Sequence, residues 1–183
     1  MSSAGPRRLT IPEVRLRALG PGDARALVRL FASGDGEGAP CRPVLGECRR
    51  FVRSALSQER ARREFHFLLL ARDRKRGPAS RREESLAGWM ALFELDWDAR
   101  SAEAGTWIAP PWRGLGVNPK AKGLLLDCAF AVLGLSRVRF LVEAENTPSI
   151  LALRRLGAVA DASLAAGRAP LPFSVWRDDD QLA

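Results

Sequence analysis

Apolar and polar residues alternate from Glu13 to Leu19, EVRLRAL, so that Val14, Leu16 and Ala18 share one side of a half-buried strand. Gly20-Pro21-Gly22 interrupts the alternation. From Asp23 the period changes, with Leu27, Leu30 and Phe31 at helical spacing until Ser33-Gly34 stops the helix. The Gly- and Pro-rich stretch from Gly34 to Pro43 reads as a loop. A second helix is expected from Leu45 to Arg63, with Phe51, Val52, Ala55 and Leu56 on one face and arginines on the other.

The run FHFLLLA, Phe65 to Ala71, predicts a buried strand that ends in a charged turn from Arg72 to Arg82. Leu86 to Leu95 is the next strand, and Asp96 to Ser101 turns it into Ala102 to Ala109, a pair expected to form a hairpin. A helix follows from Pro119 to Leu133, with Leu125, Ala129 and Val132 on one face and Gly134 as its stop. Then come a strand from Arg137 to Val142, a helix from Pro148 to Leu156 and strand-like sequence through Trp176. This order predicts a single α/β domain, a mixed central sheet flanked by helices, over residues 13–177, with a leader at 1–12 and a polar tail at 178–183.

A chain of 183 residues, nearly half of them apolar, fits one well-buried core. No apolar run approaches the roughly 20 residues of a spanning helix. The N-terminal MSSAGPRR lacks the apolar centre of a signal peptide, so a cytoplasmic protein with no membrane association is expected. Cys41, Cys48, Cys128 and the lone His66 offer neither a metal-ligand spacing nor a disulfide framework, and Cys128 reads as a small buried hydrophobe. The formal charge of +8 comes from 26 arginines against 3 lysines. The arginines are scattered, and their densest patches contain acids and no aromatic ladder, which argues against a nucleic-acid partner.

The segment Arg113-Gly114-Leu115-Gly116-Val117-Asn118-Pro119 carries the most chemistry. Gly114 and Gly116 let backbone amides approach a ligand, Asn118 suits a helix N-cap, and Pro119 suits the first helical position. A helix N-terminus there would offer unpaired N–H groups and the positive end of the helix dipole to a phosphate, with Arg113 at the rim. The spacing is neither a Walker A loop nor a dinucleotide fingerprint.

Taken with NPKAKGLLL, AFAVLGLSRVRFLVEAEN, Thr147-Pro148-Ser149 and LRRLGA, this segment resembles the GNAT superfamily, in particular its ribosomal-protein-alanine acetyltransferase branch. The resemblance covers about 55 residues in order, and the N-terminal third agrees in topology alone. It implies that the amides of Arg113, Gly114, Leu115, Gly116, Val117 and Asn118 hold the pyrophosphate of acetyl-CoA. It further implies that backbone near Trp107 and Ile108 pairs with the pantetheine arm, and that Asn146 contacts that arm.

The implied activity is N-acetylation of a primary amine, a small molecule or a protein N-terminus, by direct attack and without a metal, in a monomer or homodimer. Such transfer needs a proton acceptor for the amine and a donor for the departing thiolate. Glu103 is the first choice for the acceptor, on the same side of its strand as Gly105 and Trp107, with Glu94 in reserve. His66 has no link to the motif. Many family members use a tyrosine as the acid, and this chain has none. Ser149, at the Asn-x-x-Ser position, takes that place. The rival reading is a non-catalytic acyl-CoA-binding module of the same fold. Beyond Gly157 only Asp161 and Leu164 keep a trace of the family's acceptor-side pattern.

Overall fold

The alternation at the start of the chain forms β1 (Glu13–Ala18), which lies antiparallel to β2 (Phe65–Arg72). A computed structural model describes residues 12–34, 38–72, 84–160 and 170–177. The leader, the turn after Arg72, the positions of Asp161 and Leu164, and the C-terminal tail lie outside the described residues. β3 (Ser85–Asp96) and β4 (Ser101–Ile108) form the expected hairpin, and β5 (Arg137–Val142) joins β4 in parallel. With β6 (Val159–Ala160) and β7 (Leu171–Trp176), the sheet runs β1-β2-β3-β4-β5-β7-β6.

Helices cover both faces, because strand alternation sends apolar side chains both ways. On one face, Leu27, Leu30 and Phe31 of α1 (Ala24–Phe31) and Val52 and Ala55 of α2 (Leu45–Arg60) close over Leu68, Trp89 and Trp107. On the other, Val117, Ala121 and Leu125 of α3 (Val117–Asp127) and Leu153 of α4 (Thr147–Arg155) close over Met90, Ala104, Ile108 and Phe140. β3 and β4 approach so closely that a Cβ on Gly88 would lie 2.4 Å from the Trp107 carbonyl oxygen. Among the described residues, no helix is long and apolar enough to cross a membrane.

Three local expectations change. α2 stops at Arg60 because Arg62 takes a left-handed conformation, φ 55°, and turns the chain. α3 begins two residues early: Gly116, at φ 75°, is the N-cap, and Asn118 and Pro119 fall inside the first turn. The left-handed cap suits glycine, which has no Cβ to clash. The helix then widens into a π turn over Cys128–Val132, closed by the Leu133 amide on the Cys128 carbonyl at 3.0 Å. That extra residue rotates Val132 off the buried face to 76% exposure and leaves Cys128 half-buried.

Candidate active site

The parallel ladder between β4 and β5 runs from Ser101 opposite Arg137 to Ala104 opposite Phe140 and ends there. Each strand continues beyond that rung while held on its other side. β4 pairs with β3 as far as Ile108, and β5 pairs with β7 as far as Val142. The sheet therefore splits into a wedge with Ala104 and Phe140 at its apex.

The turn that follows β4 lies at the open end of this wedge. A short 3₁₀ turn, Pro110–Trp112, leads into Gly114 and Gly116, both left-handed at φ 74° and 75°. These glycines bend the chain so that α3 presents its first amides at the end of β4. A Cβ on Gly114 would meet nothing within 4 Å, so its requirement is conformational, and the turn's surface is open. Arg113 folds back: its Nε donates to the Ile108 carbonyl at 2.9 Å, and its guanidinium lies 5.9 Å from the centre of the Trp107 ring.

Leu115 is exposed, whereas the side chains of Val117, Trp107 and Ile108 belong to the two cores, Trp107 edge-on to Phe31 at 5.3 Å. These three buried residues can serve a ligand only through their backbone. Of the three buried side-chain oxygens with no hydrogen-bond partner among the described residues, Ser174 Oγ lies on β7, and the other two are Asn118 Oδ1 on the first turn of α3 and Thr106 Oγ1 on β4. Thr106 shares its strand side with Ala104 and Ile108, the side α3 covers. Buried polar atoms are almost always paired in native structures, so both atoms can accept a hydrogen bond from a partner outside the chain.

Glu103 stands one residue before the apex on the opposite face of the sheet, and its rung partner is Arg139. Its Oε2 lies 3.5 Å from Arg139 Nη2, and the side chain is 14% exposed, so it is no solvent-facing edge residue. Burial pushes its pKa above the usual glutamate value, with a further push from Glu94, against the pull of Arg139. Glu94 itself is exposed, with φ 50°, where the β3–β4 register shifts. His66 is a packed residue of β2, its ring against Phe51 and Trp89 and its Nε2 2.8 Å from Glu64.

α4 brings the remaining candidates. Asn146 is its N-cap: the side-chain Oδ1 accepts from the Ser149 amide at 3.2 Å, which leaves the amide group of Asn146 for other partners. Ser149 is buried, and its Oγ accepts from Nζ of Lys122 at 2.8 Å. Lys122 is itself 2% exposed, and its Nζ sits 4.9 Å from the centre of the Phe140 ring, the apex residue of β5.

Sequence reading assigned Lys122 no role. The available signal was its residue type: two of the chain's three lysines stand in NPKAK, in a protein with 26 arginines. An amine can lose its charge in a buried site, and a guanidinium cannot. The wedge and the turn thus set an unpaired strand edge beside a helix N-terminus, with a carboxylate on one face and a lysine–serine pair on the other.

Comparison with known proteins bears on the family and the fold. The family model described as an acetyltransferase (GNAT) domain matches residues 13–159. Spermidine N(1)-acetyltransferase of Escherichia coli (strain K12) is 33% identical over 78 residues, 43% of this chain and 42% of the relative, so the match spans about two fifths of that relative's length. Among solved structures, Mycobacterium smegmatis RimJ in complex with CoA-disulfide superposes with a TM-score of 0.73 at 19% identity, over 93% of this chain and 85% of that one. The ribosomal-protein-S5-alanine acetyltransferase of Vibrio fischeri gives 0.71 at 16% identity, over 93% and 98%. By its sheet, its glycine turn and a family match over most of its length, the chain belongs to the GNAT acetyltransferase family.

Proposed function

We propose that this protein transfers an acetyl group from acetyl-CoA to a primary amine by direct attack, as a cytoplasmic enzyme. The observation that carries the reading is the wedge between β4 and β5, with the amide-rich turn at its mouth, Glu103 on one face of its apex and Ser149 packed on the other.

The residues fit such a co-substrate. The amides from Arg113 to Asn118, at two left-handed glycines and the start of α3, suit a pyrophosphate. The edge of β4 beyond Ala104, at Trp107 and Ile108, suits a strand-like pantetheine arm. The orphaned oxygens of Asn118 and Thr106 suit its amide hydrogens, with Asn146 at the far wall. Acetyl-CoA supplies the activated thioester. The chain supplies proton transfers: Glu103 accepts a proton from the attacking amine, its raised pKa bringing it closer to that task. Ser149 donates its hydroxyl proton to the leaving sulfur.

Relatives named for spermidine and for ribosomal proteins direct the choice of acceptors. Thiol release from acetyl-CoA is to be followed over polyamines, simple primary amines and N-terminal peptides, with mass spectrometry of the products. The expected result is one acceptor class gaining a single acetyl group. Binding of acetyl-CoA with no thiol release across that panel would instead make the protein a non-catalytic acyl-CoA-binding module.

A further inference from the structure

Lys122 and Ser149 come from different helices, and their meeting places a protonatable amine next to the hydroxyl at the apex of the wedge. Both are buried, at 2% and 8% exposure, and Lys122 Nζ donates to Ser149 Oγ at 2.8 Å. A neutral hydroxyl alone is a poor acid, because donating its proton would leave an alkoxide. A second proton behind it removes that difficulty. Nζ also lies over the face of the Phe140 ring, which suits a cation, so the amine can be buried charged.

We propose that Lys122 is a positioning and proton-supplying residue that acts through Ser149, replenishing the serine proton as the thiolate departs. The inference rests on the acetyl-transfer reading and deepens it. As the carbon–sulfur bond breaks, Ser149 gives its hydroxyl proton to sulfur and takes one from Nζ of Lys122, which becomes a neutral amine. The attacking nitrogen loses its own proton to Glu103 and from there to solvent. Lys122 regains a proton from solvent when the products leave, so charge and atoms balance over the cycle.

The environment of the amine suits this duty. Burial holds its pKa down at about 8, where donation near neutral pH is favourable and reprotonation is not slow. The charged groups on elements packed around α3 include Glu13, Arg15 and Arg17 of β1, Glu94 and Asp96 of β3, Glu103 of β4, Arg137 and Arg139 of β5, and Arg154 and Arg155 of α4, with Lys120 and Asp127 on α3 itself. None contributes to the shift, whose cause is desolvation.

The test compares wild type, Lys122→Met and Lys122→Arg in the same thiol-release assay, with a lysine-labelled NMR titration of the free protein. Methionine fits the volume without charge. Arginine keeps the charge and cannot release the proton. The expected result is a fall in kcat of about tenfold or more in both variants, within the range for general acid catalysis. KM for each substrate should stay within about twofold, and the alkaline limb of kcat near pH 8 should vanish. In the free protein, Lys122 should titrate well below an ordinary lysine, and Ser149→Ala should move its signal.

Wild-type kcat in Lys122→Met, full rescue by Lys122→Arg, or ordinary titration of Lys122 would each overturn the proposal alone. A wild type that turns over no amine would overturn the acetyl-transfer reading and this proposal with it.

Discussion

Glu103 and Arg139 face each other across a rung of the β4–β5 ladder, carboxylate to guanidinium at 3.5 Å, one residue short of the point where the strands part. If Glu103 takes the proton from the attacking amine, Glu103→Gln keeps the shape and removes the acceptor. Turnover should fall by about 10²-fold, the lower end for general base catalysis, while acetyl-CoA affinity stays unchanged. Steady-state kinetics beside calorimetry reads both, and a variant with wild-type kcat at every pH rules the role out.

Arg139 stabilises the ionised form of Glu103 and so opposes the effect of burial. Arg139→Met removes that pull, and the pKa of Glu103 should rise further. Because the base works only when deprotonated, activity is lost as pH falls through that value, and the acid limb of kcat should move to higher pH. An acceptor of low amine pKa keeps its own titration from masking the limb. A limb that stays put or moves to lower pH contradicts the pairing.

Gly116 caps α3 in a left-handed conformation at the mouth of the wedge. Gly116→Glu puts a negative charge where the phosphates are proposed to bind and strains the backbone by about 1 kcal/mol or more. Calorimetry should find no acetyl-CoA binding. Gly116→Ala carries the same backbone strain without the charge and should retain weakened binding, which separates repulsion from misfolding. Unchanged affinity in Gly116→Glu removes the phosphate site.

Trp107 serves the fold through its ring, packed at 5.3 Å against Phe31 of α1. Trp107→Ala should cost about 3–5 kcal/mol of stability, as large-to-small changes in a core do. Chemical denaturation measures it, and a loss below about 1 kcal/mol would contradict this packing.

Much of the fold was readable from the sequence because its strands and helices have clear periods. The hairpin of β3 and β4 and the buried faces of α1 and α2 follow from spacing alone. The glycine turn was readable too, since Gly114 and Gly116 mark backbone that other residues resist. Asn118 was read as the cap because its side chain suits one, but Gly116 already satisfies the turn by its left-handed φ, so the helix starts earlier. Val132 was assigned to the buried face by a regular 3.6-residue count, which a π turn breaks.

The wedge was invisible, because a strand's sequence does not say where its neighbour leaves it. Lys122 was missed for a related reason. Its partner Ser149 lies 27 positions away on another helix, and only the packing of α3 against α4 brings them together.

The parting of β4 from β5 has a kinetic consequence. A sheet that is open at one seam is a partition with a slot in it. In the proposed reaction the amine enters from the side of Glu103 and the thioester from the mouth beneath α3, so neither occupies the other's route. The two substrates then meet on the protein without an acylated intermediate. Initial-rate plots against one substrate, at fixed levels of the other, should give intersecting lines and never parallel ones.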